Sequence, residues 1–300
     1  MRIVVDVSPL SHQRTGVGNY VRGSLRGLVE ASGGEHQLVA FAPASRRGRR
    51  EIDAALTGID VAERLPVLPA AHALRTLWSR AGRTPAERVL GPFDVLHFSD
   101  WMYPPQRSGV RSTMVHDLVP LHFPEWVHQR TRRMHGAKYR NAARTCDVVM
   151  VNSRFTGDDV VETLGIAKEK IHVAHPGVDE GFVATGAHAD LGRPYVLTVA
   201  TLEPRKNLTT LLAAHRRLDG SELALAVAGA AGWGDQPSLD EACGDAAVRA
   251  DPHDPDALAR AIERALAERD TLIPRGLEHA RTFTWLANGR AHLAAWEAAR

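Results

Sequence analysis

The run MRIVVDV (Met1–Val7), the loop RTGVGNY (Arg14–Tyr20), the stretch YVRGSLRGLVEAS (Tyr20–Ser32) and the run HQLVAFAP (His36–Pro43) follow one another at the start of the chain. Ile3-Val-Val-Asp-Val7 is short, β-branched and interrupted by an acid, which reads as a buried strand. Tyr20–Ser32 is amphipathic, with Val21, Leu25 and Leu28 at helical spacing on one face. His36–Pro43 is a second apolar run of strand length. Strand, helix, strand within so short a span is the parallel βαβ unit, and it predicts an α/β chain.

The alternation continues. DVLHFSD (Asp94–Asp100) and STMVHDLVP (Ser112–Pro120) read as buried strands ending in polar residues. A basic amphipathic helix over Gln129–Thr145 leads to the strand DVVMVNS (Asp147–Ser153). Ser153 is a good N-cap for a helix over Arg154–Leu164, and KIHVAHPGVD closes this half. Residues 45–90, rich in arginine and alanine, read as a strand end, a loop and a helix. After the linker Gly181–Pro194 the pattern restarts. YVLTVATL (Tyr195–Leu202) reads as a central strand, NLTTLLAAHRRL (Asn207–Leu218) as its helix and ELALAVAGA (Glu222–Ala230) as a second strand. A short strand in AAVRADP near Ala247 follows. Then comes a helix over Asp254–Glu268 with Asp254 as N-cap and Pro255 in its first turn, and a last helix over Trp285–Ala299. Each half reads as a doubly wound parallel sheet. In such sheets ligands sit outside the carboxyl ends of the strands where strand order reverses. With two such domains, the cleft between them is the expected site.

Bulk properties narrow the function. The 300 residues suit two domains, and 44% of them are apolar, enough for real cores. Net charge is +2 with no basic block, which argues against nucleic acid as a partner. The two cysteines, Cys146 and Cys243, form neither a disulfide framework nor a metal-ligand set. The N-terminus is a strand rather than a signal peptide, and no stretch approaches the roughly 20 apolar residues of a membrane span. A cytoplasmic protein, with at most peripheral membrane contact, is the expectation.

Three stretches carry candidate chemistry. Gly16 and Gly18 begin like a G-x-G-x-x-G dinucleotide fingerprint, but Val21 stands where the third glycine belongs and Gly16 comes nine positions after Val7. The stretch reads instead as a glycine loop whose backbone N–H groups approach a ligand, or as a plain loop before a helix. VHDLVP puts His116 and Asp117 at a strand end, where a histidine can orient a hydroxyl or move a proton; a histidine satisfied in the core is the alternative. TLEPRKNL puts Arg205 and Lys206 after a strand and before a helix N-terminus, a ready diphosphate site or else a solvated charged turn. Lys206 is one of only four lysines among 37 Lys and Arg. No metal-ligand cluster, Walker loop or G-x-S-x-G elbow is present.

In order, RTGVGNY, HDLVP, VNSRFT, HPGVD, TLEPRKNL and SLDEACGDAAVRADPHDPDALARAIERAL resemble the retaining group 1 (family four) glycosyltransferases of the GT-B fold. The likeness covers nearly the whole chain. It implies two Rossmann-like domains facing a cleft: an acceptor-side domain over 1–182, a nucleotide-sugar domain over 183–284, and a helix over 285–300 crossing back to the first. It implies that Gly16, Gly18, Arg205 and Lys206 bind the donor diphosphate, that His116 and Asp117 act at the sugar, and that Val17, Asn19 and Ser153 lie on the acceptor side. The implied partners are a nucleotide-diphosphate sugar, of mannose or rhamnose type, and a glycan or lipid-linked acceptor of polysaccharide assembly. No cofactor or metal is implied.

One departure stands out. The family carries two glutamates eight positions apart in a segment that holds the donor sugar and ribose. No Glu here is followed by Glu at that spacing. The segment belongs between AVAGAAGWG and SLDEACGDAAV, which here meet at Pro237-Ser238. About two βα units, on the order of 60 residues, are expected to be missing. An abridged C-terminal domain with uncovered strand faces, and a chain impaired in catalysis, follow as expectations.

Overall fold

The computed structural model describes residues 1–12, 16–182, 185, 190–199, 206–218, 222–228 and 243–300. Two compact units divide them. One comprises Met1–Leu118, Arg130–Asp179 and Phe283–Arg300, the other Val119–Gln129 and Glu180–Thr282.

Among the described residues the first unit is built on seven strands: β1 (Arg2–Asp6), β2 (Gln37–Phe41), β3 (Ala62–Arg64), β4 (Val95–Phe98), β5 (Val110–Val115), β6 (Val148–Val151) and β7 (Ile171–Val173). They run in parallel in the order β3-β2-β1-β4-β5-β6-β7. The helices of this unit are α1 (Gly16–Ser32), α2 (Arg46–Leu56), α3 (Ala71–Ala81) and α4 (Ala86–Leu90). After the short α5 (Val119–His122) of the other unit come α6 (Gln129–Thr145) and α7 (Arg154–Leu164). Alternate residues of β1 point to opposite faces, and both faces are buried. Ile3 and Val5 join one apolar cluster and Val4 another, as a parallel sheet covered on both sides requires.

Ser153 caps α7 as its sequence predicts: its Oγ accepts from the Thr156 amide at 3.1 Å. Residues 45–90 hold more than the expected strand end, loop and helix, because α2, β3, α3 and α4 all fall there. β3 is short, polar and exposed, so alternation gives it no signal. The glycine loop is also corrected. Gly16 and Gly18 stand on the first turn of α1, which starts four residues before the expected Tyr20. Glycine's low helix propensity points the other way, yet first-turn amides have no intrahelical acceptor in any case.

In the other unit β8 (Tyr195–Val199) and β9 (Ala224–Ala228) form a two-stranded parallel sheet, followed by α8 (Leu208–His215), which lies between them in the chain, α9 (Pro255–Ala267) and α10 (Arg269–Ala280). Asp254 caps α9 by accepting from the Asp256 amide at 2.8 Å, with Pro255 in the first turn. Ala214, Leu218 and Ala259 are its buried cluster. β8 was expected to be central; among the described residues it has one neighbour, with Leu197 53% and Val199 77% exposed. No strand forms near Ala247. The stretch is irregular, held by local bonds such as Arg249 Nη2 to the Gly244 carbonyl at 2.9 Å. A strand needs a neighbour's edge to pair with, and among the described residues none is given to it. The junction at Pro237-Ser238 lies outside the described residues.

The last helix, α11 (Trp285–Ala298), belongs to the first unit and packs along α1. Their contact is close because both present glycine. A Cβ on Gly27 would stand 1.8 Å from the Trp285 carbonyl oxygen, and one on Gly289 2.1 Å from that of Gly27. Asn288 Nδ2 donates to the carbonyls of Ala174 (3.0 Å) and His175 (2.9 Å), and Trp296 Nε1 donates to Ser112 Oγ at 2.8 Å. HPGVD receives the start of this helix: Val178 N–H donates to the Phe283 carbonyl at 2.9 Å.

α11 also carries an acid sensitivity. His292 is fully buried, and its Nδ1 lies 2.9 Å from the Asn288 carbonyl, which can only accept. Nε2 is therefore the bare nitrogen, and it has no partner. Burial pushes this imidazole down to about 4 from its usual 6.5. The unfolded chain takes up this proton near 6.5 and the folded chain only near 4. Stability is therefore full above about 6.5 and falls as pH drops from there to about 4. The loss is on the order of 3 kcal/mol for this group alone. Urea midpoints measured from pH 7 to 4 should fall more steeply for the natural protein than for His292→Gln; parallel profiles would refute the assignment.

Candidate active site

Strand order reverses between β1 and β4, since β1 continues one way to β2 and the other way to β4. The carboxyl ends of β1, β4 and β5 open there into a recess of about 440 Å³, counted with the solvent at its mouth. Its wall includes Asp6 at the end of β1, Ser99 and Asp100 after β4, His116 after β5, and Val17 and Tyr20 from the first turns of α1. Space open to the centre of a water molecule is about 20 Å³, enough for one water.

Two carboxylates at these strand ends behave differently. Asp6 is buried and accepts from the Ser8 amide at 2.9 Å, the Ser99 amide at 3.2 Å and the Ser99 hydroxyl. Burial raises its pKa despite these bonds. It ties β1 to the end of β4. Asp100 instead meets a cation: Lys138 Nζ, completely buried on α6, lies 2.7 Å from its Oδ1. Burial alone would push this carboxyl up, but Lys138, with His135 and His116 adding, holds it well below the usual carboxylate range.

His116 lies between these groups and Tyr20, whose ring meets it edge to face at 4.9 Å. Burial pushes the imidazole down, and Asp100 offsets only part of that. His116 is therefore neutral at pH 7, with one nitrogen free to accept and one to donate. Behind it His97 accepts from or donates to Ser112 Oγ at 3.0 Å. Trp296 Nε1 also donates to that hydroxyl, so Ser112 links His97 to the last helix.

Of the residues singled out in the sequence, the recess brings together His116 and Val17. Asp117 follows His116 in the chain, outside the recess lining, its carbonyl accepting from Tyr139 Oη at 2.9 Å. Gly16, Gly18 and Asn19 share the first turn of α1; Gly16 and Asn19 are exposed and Gly18 is buried. Ser153 is buried, its hydroxyl accepting from the Thr156 amide in the α7 cap at 3.1 Å and lying 2.9 Å from Thr156 Oγ1. Lys206 stands in the other unit, just before Asn207, the left-handed residue (φ 46°) that precedes α8. Arg205 lies outside the described residues. Sequence reasoning missed Asp6, Tyr20, His97, Asp100 and Lys138. Asp100 carried a usable signal, as the polar residue ending an apolar strand. Lys138 carried only its rarity, as one lysine in a helix of arginines. Among the described residues no His, Cys, Asp or Glu group is disposed to hold a metal.

A profile of Glycosyltransferase Family 4 matches residues 14–182, more than half of the chain. No curated protein matches the sequence. Two similar solved structures are a glycosyltransferase from Rickettsia africae ESF-5 and Anabaena HepE in complex with UDP and glucose. The first is 12% identical with a TM-score of 0.60, covering 99% of this chain and 98% of that one. The second is 12% identical with a TM-score of 0.62, covering 99% and 100%. At that identity the likeness is one of fold.

Proposed function

From its membership of glycosyltransferase family 4, in the Rossmann-like α/β architecture of GT-B enzymes, we propose that this chain moves a hexose from a nucleotide-diphosphate sugar to a hydroxyl acceptor. The observation that carries the reading is the recess at the strand-order reversal, where neutral His116 stands beside fixed, ionised Asp100. Arg205 and Lys206, with the amides at the start of α1 around Gly16 and Gly18, neutralise the departing diphosphate. His116 and Asp117 orient sugar hydroxyls, and Val17 and Asn19 flank the acceptor. The chemistry is positional and electrostatic and calls on no metal or other cofactor. The anomeric centre is retained, the sugar is of mannose or rhamnose type, and the acceptor is a glycan or lipid-linked saccharide of polysaccharide assembly, met at a membrane surface. No described helix is long and apolar enough to cross a membrane.

A second reading has its own support. Leu197, Val199 and Val227 are exposed on the two-stranded sheet, and the paired glutamates are absent from the sequence. A chain that binds acceptor but handles donor poorly, serving as a scaffold or accessory subunit, fits both. Calorimetric titration with UDP-, GDP- and dTDP-sugars separates the two. One donor should bind, and Arg205→Ala or Lys206→Ala should each weaken it about tenfold or more, the worth of one charge-assisted hydrogen bond. Transfer or slow donor hydrolysis should accompany binding. A folded protein that binds none of the three supports the scaffold.

A further inference from the structure

The Lys138 side chain is the most unusual in the first unit. It is a lysine with no exposure at all, on a helix whose arginines are exposed or, for Arg132, half-buried. Its Nζ donates to the Met114 carbonyl in β5, lies 2.7 Å from Asp100 Oδ1 after β4, and sits 5.7 Å from the Tyr139 ring. One ammonium thus reaches the two adjacent strands that end at Asp100 and His116. Burying a cation this deeply costs several kcal/mol, and a pair of this kind adds little net stability over an apolar replacement. Something other than stability accounts for its place.

The surrounding groups suggest what. Besides Lys138, His116 is faced by Asp100 and His97 from β4 and its end, by Tyr20 from α1, by Asp117 beside it in the chain, and by His135 from α6. His135 Nδ1 lies 3.9 Å from Asp100 and 3.4 Å from Tyr139 Oη. In this ring of titratable groups Lys138 is the one buried side chain that carries a fixed positive charge. Its contact with Asp100 at 2.7 Å favours the bare carboxylate there.

We propose that Lys138 is a positioning residue: from inside the fold it holds Asp100 as a bare carboxylate just past the end of β4, and so keeps a fixed negative charge in the recess that His116 also lines while sugar is handled. The inference rests on the proposed transfer reaction for its kinetic test only.

Nuclear magnetic resonance titration of the His116 ring and the Asp100 carboxyl needs no substrate. In Lys138→Met the pair should take up its first proton at higher pH than in the natural protein, on whichever group it rests. Lys138→Arg, which keeps a cation, should move the uptake back toward the natural pH. Unchanged uptake in Lys138→Met overturns the proposal. In turnover, the acid limb of kcat should move up in pH in Lys138→Met. A structural role alone would scale kcat equally at every pH, and that result also overturns it. If Lys138→Met does not fold, Lys138→Met/Asp100→Asn leaves no bare charge buried and is the variant to use. It should fold and still lose about tenfold or more in kcat, as displaced catalytic groups do; full kcat in that variant overturns the proposal. Loss of all transferase activity in the natural protein would remove the function reading and leave the titration to decide this one.

Discussion

Gly27→Ala should unfold the first unit at a urea midpoint far below that of the natural protein, with a loss of about 4 kcal/mol or more. The added methyl would stand 1.8 Å from the Trp285 carbonyl oxygen and 2.5 Å from its carbon. These are backbone atoms, so no rotamer change relieves the clash, and α11 must lift from α1. Lifting it uncovers Trp296, which is fully buried, and releases the Asn288 bonds to the end of β7. The cost of overpacking is typically 1–3 kcal/mol and that of losing a buried tryptophan about 3–5, which sets the size of the effect. Gly16→Ala on the same helix is the control: no atom lies within 4 Å of its added methyl, so it should change stability by no more than about 0.5 kcal/mol. Equal midpoints for the Gly27 and Gly16 variants would refute the packing account.

His116→Ala should lower kcat by about 10² to 10⁴, the range for a positioned acid–base or orienting group, with a smaller change in donor binding. The site is specific about this side chain. His116 ends a strand whose six residues are all buried, its ring is braced by Tyr20, and Asp100 holds a fixed negative charge beside it. His116→Asn keeps one donor and one acceptor but cannot be protonated. It should recover part of the loss if orientation is the role, and none if a proton moves. A folded His116→Ala protein that keeps more than a tenth of the natural kcat would sink the assignment.

Much of this was legible in the chain, for reasons that can be named. β1, β2, β4 and β6 are short, mainly apolar runs, so their continuity is plain, whereas β5 holds Arg111, Ser112 and Thr113 and spans Val110–Val115 rather than the expected Ser112–Pro120. α7 and α9 declared their own first residues, because Ser153 and Asp254 each cap with a side chain that only a helix start can use. The exposed edge strand β3 and helix α3, with Leu77 60% exposed, gave no such pattern, since neither is wholly packed against the core. α10 escaped notice because Pro274 lies inside it. His116 was legible from the rule that chemistry gathers at strand ends. Lys138 was not: a lysine among arginines on an amphipathic helix reads as solvated. Only the three-dimensional meeting of α6 with β4 and β5 buries it.

The pairing of α1 with α11 also sets a clock. Tyr20, Gly23 and Gly27 leave the ribosome well before Trp285 and Gly289, which cover them and come more than 250 residues later in the chain. At roughly 5–20 residues per second the nascent sheet waits on the order of ten seconds or longer with one flank bare. Loop closure over so long a span is slow in its own right. The whole of the second unit must therefore be made before the first can finish. For that interval the groove along α1 is an apolar surface open to chaperones or to a neighbouring nascent chain.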